Sequence, residues 1–344
     1  MKYDAILLVS FGGPEKNEDV LPFLENVLRG RNVPRERMFA VAEHYYHFGG
    51  RSPINDQNRK LIAALAEELY GHGIDLPIYW GNRNWHPLLA DTIKKMRADG
   101  VQNALAFVTA SYSSYSSCRQ YRENIAAAQE AAGEGAPVVD KIRAYFNHPR
   151  FVDTMVDRLR EAMEKLPAAL RSEMRVVYTA HSIPSAMADS CAYVEQLTEA
   201  SRLVSERVGR SGDPLVFQSR SGPLTQPWLE PDILDHLRSL RAQNAKAVVI
   251  VPIGFVSDHM EVLYDLDTQA KELSSELGMT MVRAGTAGVH PWFVTMIREL
   301  IEERMRDSEV RPALGRFGAS HDICPLDCCP APKMAMPAGA RPVR

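Results

Sequence analysis

Eight short apolar runs, rich in β-branched residues, recur along the 344 residues, at about 4–10, 77–81, 103–110, 139–146, 174–180, 214–219, 246–253 and 279–284. Between them lie stretches with helical apolar spacing, among them 19–28, 58–70, 88–98, 119–132, 150–165, 194–208 and 233–243. A run that is apolar on both faces reads as a buried strand, and buried strands separated by helices predict βαβ units and parallel sheets. The runs divide into two sets of four. The helix after Pro149 crosses between the sets, and Leu166-Pro-Ala-Ala-Leu-Arg-Ser172 leads into the second. We therefore expect an α/β chain with one domain at 1–165 and another at 166–286. A last helix near 291–306, within a segment 287–330, is expected to pack back on the first domain. Residues 331–344, rich in Pro and Ala, read as a disordered tail.

Composition narrows the function classes. The chain is 45% hydrophobic and 24% charged, in the ordinary globular range. A net charge of −3 gives no electrostatic case for nucleic acid or an anionic membrane. No apolar run approaches the roughly 20 residues of a membrane helix, and the N-terminus lacks a signal-peptide pattern. The expectation is a cytoplasmic protein. A dinucleotide fingerprint is also missing, because Gly12-Gly-Pro-Glu-Lys does not supply Gly-x-Gly-x-x-Gly.

Two strand-to-loop segments carry the chemistry. Thr179-Ala-His181-Ser-Ile-Pro184 offers an imidazole, and Val251-Pro-Ile-Gly-Phe-Val-Ser-Asp-His-Met-Glu261 offers a carboxylate. Both follow apolar strands, and ligands gather beyond the C-terminal ends of parallel strands. A His facing a Glu there can bind a divalent metal or share proton transfer. Asp265, four residues after Glu261, falls on the same helical face, whereas Asp267 points elsewhere and Gln269 interrupts the acidic row.

These segments resemble the His- and Glu-bearing motifs of the ferrochelatases. The resemblance continues, in the family's order, through Leu8-Val-Ser-Phe-Gly-Gly-Pro14, His44-Tyr-Tyr-His-Phe-Gly-Gly-Arg-Ser-Pro-Ile54, Gly81-Asn-Arg-Asn-Trp-His-Pro87 and Gln218-Ser-Arg-Ser-Gly-Pro-Leu-Thr-Gln-Pro-Trp-Leu229. It implies two similar Rossmann-like domains, each with a four-stranded parallel sheet flanked by helices, and a porphyrin cleft between them. It also implies insertion of Fe(II), a substrate, into a porphyrin. His181 and Glu261 would be catalytic and metal-facing, and Asp265 would relay protons or metal. Arg29, Tyr45, Ser52 and Tyr121 match positions that bind propionates or line the cleft, with Arg31, Arg51 and Arg83 as further cations. Phe11 stands where some relatives carry a Tyr that reaches the metal; it can wall the cleft but has no ligand atom.

Through Pro22-Phe-Leu-Glu-Asn26 and the blocks at His44 and Gly81 the sequence resembles the actinobacterial-type enzymes, which implies coproporphyrin III as substrate. Protoporphyrin IX is the alternative, and a non-catalytic porphyrin or haem carrier with an iron–sulfur sensor is a reading from another class. A sister chelatase for cobalt or nickel would use similar ligands, because ligand type alone does not name the metal. A monomer making transient contact with the next haem-pathway enzyme is expected.

The five cysteines are 118, 191, 324, 328 and 329. An odd number without a secretion signal argues against a disulfide framework. Cys324-Pro-Leu-Asp-Cys328-Cys329 places three thiols on one loop, and Cys118 opens a helix after the third strand. Four thiolates suit an iron–sulfur cluster, with four-cysteine zinc as the competitor, although adjacent cysteines suit a simple zinc knuckle less well. Some ferrochelatases hold a [2Fe–2S] cluster with three C-terminal cysteines and one internal cysteine. The resemblance therefore implies a cluster on Cys118, Cys324, Cys328 and Cys329, acting as a clip between tail and first domain. Cys191 is expected on a helix at 186–194 as an ordinary small apolar residue.

Overall fold

The computed structural model describes residues 3–30, 33–223 and 225–331. Arg31 and all but the first residue of the tail expected at 331–344 lie outside the described residues. Eight parallel strands form two four-stranded sheets. The first is β1 (Ala5–Ser10), β2 (Ile78–Asn82), β3 (Asn103–Val108) and β4 (Val138–Lys141), in the order β2-β1-β3-β4. The second is β5 (Arg175–His181), β6 (Leu215–Gln218), β7 (Ala247–Val251) and β8 (Thr280–Arg283), in the matching order β6-β5-β7-β8. The central strands β1 and β7 are buried at every position, which explains why they read as unbroken apolar runs. The two orders coincide, so the expected α/β fold with two Rossmann-like halves is present.

Helices α1 (Asn17–Leu28), α2 (Arg35–His47) and α3 (Ile54–Gly71) join β1 to β2; α4 (Leu89–Ala98) and α5 (Gln120–Ala132) follow β2 and β3. Helix α6 (Pro149–Lys165) crosses to the second sheet. There α7 (Ser185–Ala188), α8 (Tyr193–Arg207), α9 (Ile233–Ala242), α10 (Met260–Val262) and α11 (Lys271–Glu276) lie between strands, and α12 (Pro291–Met305) comes last. Helix α12 packs on α3 and α6.

One continuous core runs between the sheets. Ile6, Leu8 and Phe107 from the first meet Val176, Tyr178 and Val249 from the second through Phe151, Met155 and Phe293 of α6 and α12. Separate apolar layers cover the outer faces, with α4 and α5 on one sheet and α9 and the helix around Val262 on the other.

Three local expectations need correction. Helix α2 has a weak apolar stripe, with only Met38 and Ala42 buried, so periodicity did not mark it. The fourth strand stops at Lys141 rather than 146, because Ile142, Tyr145 and Phe146 leave the sheet to fill the central core. Cys191 is not helical: α7 ends at Ala188 and α8 begins at Tyr193, leaving Cys191 in the link between them.

Candidate active site

The loops that leave the strands meet between the two halves. Tyr112 Oη donates to the Ile253 carbonyl (2.9 Å), and the Asp258 N–H donates to Gln57 Oε1 (2.8 Å). Gly254 permits the turn after β7 to lie against β5, since a Cβ there would stand 2.6 Å from Ala180 Cβ. Its N–H donates to the Thr179 carbonyl at 3.0 Å. This close approach brings the His- and Glu-bearing segments together.

His181 Nε2 lies 3.4 Å from Glu261 Oε1, and both side chains keep exposed area, 29% and 46%. His181 Nδ1 is hydrogen-bonded to the Ser182 carbonyl, which fixes the proton on Nδ1 and turns Nε2 toward the carboxylate. Tyr193 Oη donates to the His181 carbonyl at 3.1 Å. Glu261 is held by His259, the N-cap of α10, whose Nδ1 accepts the Glu261 N–H at 3.2 Å. Burial keeps that second imidazole neutral, with a pKa below its usual value.

Burial disfavours charge on His181, but the facing Glu261 carboxylate outweighs it and raises the imidazole to about 9. Burial likewise opposes the Glu261 charge, and the imidazolium overcomes it to hold the carboxyl near 2. The metal-free pair is therefore imidazolium and carboxylate at neutral pH.

Residues 263–270 form a π-helical segment between α10 and α11. Asp265 accepts from Ser219 Oγ and lies 3.5 Å from Gln218 Nε2, while the same Gln218 amide donates to the Glu261 carbonyl at 2.9 Å. Burial, opposed by Ser219, brings Asp265 up to about 7. Asp267 instead pairs with Arg283 at 2.7 Å. The separation of Asp265 from Asp267 thus follows the sequence reading, through an irregular helix.

The first half supplies an aromatic wall. Phe23 makes edge contacts with Phe11, Tyr45 and Trp85, with ring centroids 5.7–6.4 Å apart. The Arg83 guanidinium stands 4.5 Å from the Tyr121 ring centre and 5.6 Å from that of Phe11. It joins these rings more closely than its marginal place in the sequence reading implied. Burial raises the Tyr45 hydroxyl well above the ordinary tyrosine value, with the Glu261 charge adding to it. Ser52 is buried, and a Cβ on Gly13 would come within 2.7 Å of its own. Arg29 is exposed and turned to Asn26 Oδ1 (2.5 Å), and Arg51 pairs with Asp56; neither joins the aromatic wall. His44 stacks on Tyr264, ring centres 3.7 Å apart at 11°, linking α2 to the π-helical segment.

All five cysteines line a second cavity, of about 410 Å³, together with His321. Cys328 Sγ lies 3.7 Å from Cys329 Sγ and 3.8 Å from His321 Nε2. The neighbouring Cys118, with Lys141 and His321, holds the Cys324 thiol well below its usual value. Cys324 raises the Cys118 thiol in return, and burial lifts Cys329 to about 12. Sequence spacing found the four thiols but passed over His321, three residues before Cys324.

Two Rossmann-like sheets of matching strand order form a chelatase-type fold. The solved sirohydrochlorin chelatase of Bacillus subtilis subspecies spizizenii, in complex with cobalt, shares this fold at a TM-score of 0.51. It is 11% identical and covers 89% of this chain and 96% of its own. The ferrochelatase family model matches residues 3–305, and the chain belongs to that family. It is a metal-insertion enzyme, a lyase. The chain is 57% identical to the ferrochelatase of Rhodopirellula baltica, over 99% of this chain and 98% of the relative. It is 51% identical to the coproporphyrin III ferrochelatase of Streptomyces coelicolor, over 98% and 96%. It is 47% identical to that of Mycolicibacterium smegmatis, over 96% and 99%. Among the described residues no helix is long and apolar enough to cross a membrane.

Proposed function

We propose that the protein inserts Fe(II) into coproporphyrin III to give iron-coproporphyrin III in haem biosynthesis. The observation that carries the insertion site is the His181–Glu261 pair, 3.4 Å apart and still accessible. The names of the Streptomyces and Mycolicibacterium relatives support the substrate.

The macrocycle would lie between the aromatic wall and the pair, with Tyr45, Tyr121, Phe11 and Arg83 against one face. Ser52 and the exposed Arg29 stand as candidate partners for propionates. Fe(II) would displace the His181 Nε2 proton to solvent, with Glu261 keeping its negative charge toward the cation, and Nε2 would be free again as the metal passes to the macrocycle. Released from the metal and neutral, His181 Nε2 can then accept one pyrrole proton. Asp265, poised near 7, can take up protons and pass them on at neutral pH. Holding the ring and distorting it toward the metal face supplies the remainder by positioning and strain.

The six donors around the second cavity fit a [2Fe–2S] cluster, which Cys118, Cys324, Cys328 and Cys329 would hold. When bound, that group would cross-link the C-terminal loop to the start of α5 in the first half. We further propose domains at 1–165 and 166–286 with 287–330 returning to the first, a monomer, and a cytoplasmic location. The contacts of α12 with α3 and α6 support the return.

His181→Ala tests the assignment. Losing the proton acceptor costs at least about 100-fold in insertion rate, measured anaerobically with Fe(II). Full activity in that variant would refute the site.

A further inference from the structure

Arg283, the last residue of β8, holds both ends of the segment that carries Glu261 and Asp265. Its Nε and Nη2 donate to the two oxygens of Asp267 at 2.7 and 2.8 Å, a bidentate pair. Its Nη1 donates to Asp258 Oδ1 at 3.1 Å and to the Ala284 carbonyl at 3.3 Å. Asp258 lies three residues before Glu261, and Asp267 two residues after Asp265. One guanidinium therefore spans the chain from just before the N-cap His259 into the π-helical segment.

The guanidinium is itself a fixed point. β8 pairs with β7 through Ile250 and Arg283, and the Ala284 N–H donates to the Ile250 carbonyl at 2.8 Å. The Arg283 side chain is only 15% exposed, so solvent screens its bonds in part. Its planar fork meets two carboxylates at once, which the point charge of a lysine ammonium does not reproduce. π-Helical turns are rare and gather at functional sites. This one is held from outside at two of its acids, Asp267 by Arg283 and Asp265 by the Ser219 hydroxyl.

We propose that Arg283 is a positioning residue for metal insertion. By clamping Asp258 and Asp267 to the end of β8, it sets where the backbone between them presents Glu261 to His181 and Asp265 to Ser219. The inference rests on the proposed insertion at the His181–Glu261 pair and adds the group that holds one side of that pair in place. The aromatic wall of Phe11, Phe23, Tyr45 and Trp85 belongs to the first half. Loss of the clamp is therefore felt by the metal and not by porphyrin binding.

Arg283→Lys tests this directly, because it keeps the charge and loses the bidentate fork. Initial rates are measured anaerobically on the full chain with Fe(II) and coproporphyrin III, each varied in turn. KM for Fe(II) should rise and kcat/KM for Fe(II) should fall about 10- to 100-fold, the usual loss on removing an outer-shell partner of a metal ligand. KM for the porphyrin should stay at the parent's value. A loss of folded enzyme would instead lower kcat and leave both KM values alone. Parental kcat/KM for Fe(II), or a fall carried by kcat alone, would overturn the inference. Should Arg283→Lys not fold, Asp267→Asn is measured in the same way. It removes the charge of the bidentate pair while Arg283 keeps Asp258, and the same split is expected; parental values there would overturn the inference equally. A parent without turnover would remove the insertion reading and this inference with it, whereas an active parent beside an unimpaired variant removes this inference alone.

Discussion

The His181–Glu261 pair is tuned against protonation in opposite senses, and that sets how it meets a metal. With His181 raised to about 9 and Glu261 lowered to about 2, the free protein carries one proton on Nε2 that a divalent cation must displace. Apparent metal affinity at this site should rise about tenfold per pH unit from the ordinary imidazole range up to about pH 9, then level off. Near pH 7 calorimetry in buffers of different ionisation enthalpy should find about one proton released per metal bound in a Cys118→Ser, Cys328→Ser background, which removes competition from the cysteine cavity. Flat affinity between pH 6 and 9 would contradict the ion pair. The sequence showed His181, Glu261 and Asp265 because each follows a recognisable strand end or shares a helical face. It did not reveal the weight of Arg83 or the capping role of His259. Those depend on Tyr121 and Phe11 coming from distant segments, and on an imidazole accepting a backbone N–H two residues ahead.

At the scale of elements, the joint between β4, α12 and the C-terminal segment rests on a buried charge pair. Arg143, fully buried, makes a bidentate bond to Glu303 (2.7 and 3.0 Å) and donates to the Pro312 carbonyl. Arg311 approaches the same carboxylate at 3.4 Å. Arg143→Met leaves Glu303 short of its main partner in a dry site, and should destabilise the fold by about 3–5 kcal/mol in chemical denaturation. A change below about 1 kcal/mol would mean that Arg311 and solvent compensate. Strands and long helices were legible because burial on both faces writes an apolar run, as in β1 and β7. Helix α2 was not, since its few buried residues leave no stripe, and neither was the π-helical turn at 263–270, which has no periodic signature of its own.

On the scale of the whole molecule, the C-terminal segment ties the halves together. Asn147 Nδ2 donates to the Leu314 and Gly318 carbonyls, and Glu199 of α8 accepts the Arg316 N–H at 2.9 Å. The cysteine cavity lies at the same junction, with Cys118 from the first half and Cys191 from the second. If bound metal clips the tail here, Cys328→Ser should lower the melting temperature by several degrees relative to the loaded parent. Loss of the cluster chromophore with an unchanged melting temperature would reject the clip. The two-fold sheet layout was readable from the spacing of eight runs. The single core joining the sheets was not, because Phe293 meets Phe107 and Phe151 only in three dimensions.

The central claim is turnover on a particular porphyrin. Purified protein is mixed anaerobically with Fe(II) and a many-fold excess of coproporphyrin III, with protoporphyrin IX in parallel, and the absorption spectra are followed. The proposed function predicts many turnovers, faster with coproporphyrin III. One equivalent bound without insertion would contradict the account and leave a porphyrin carrier in its place.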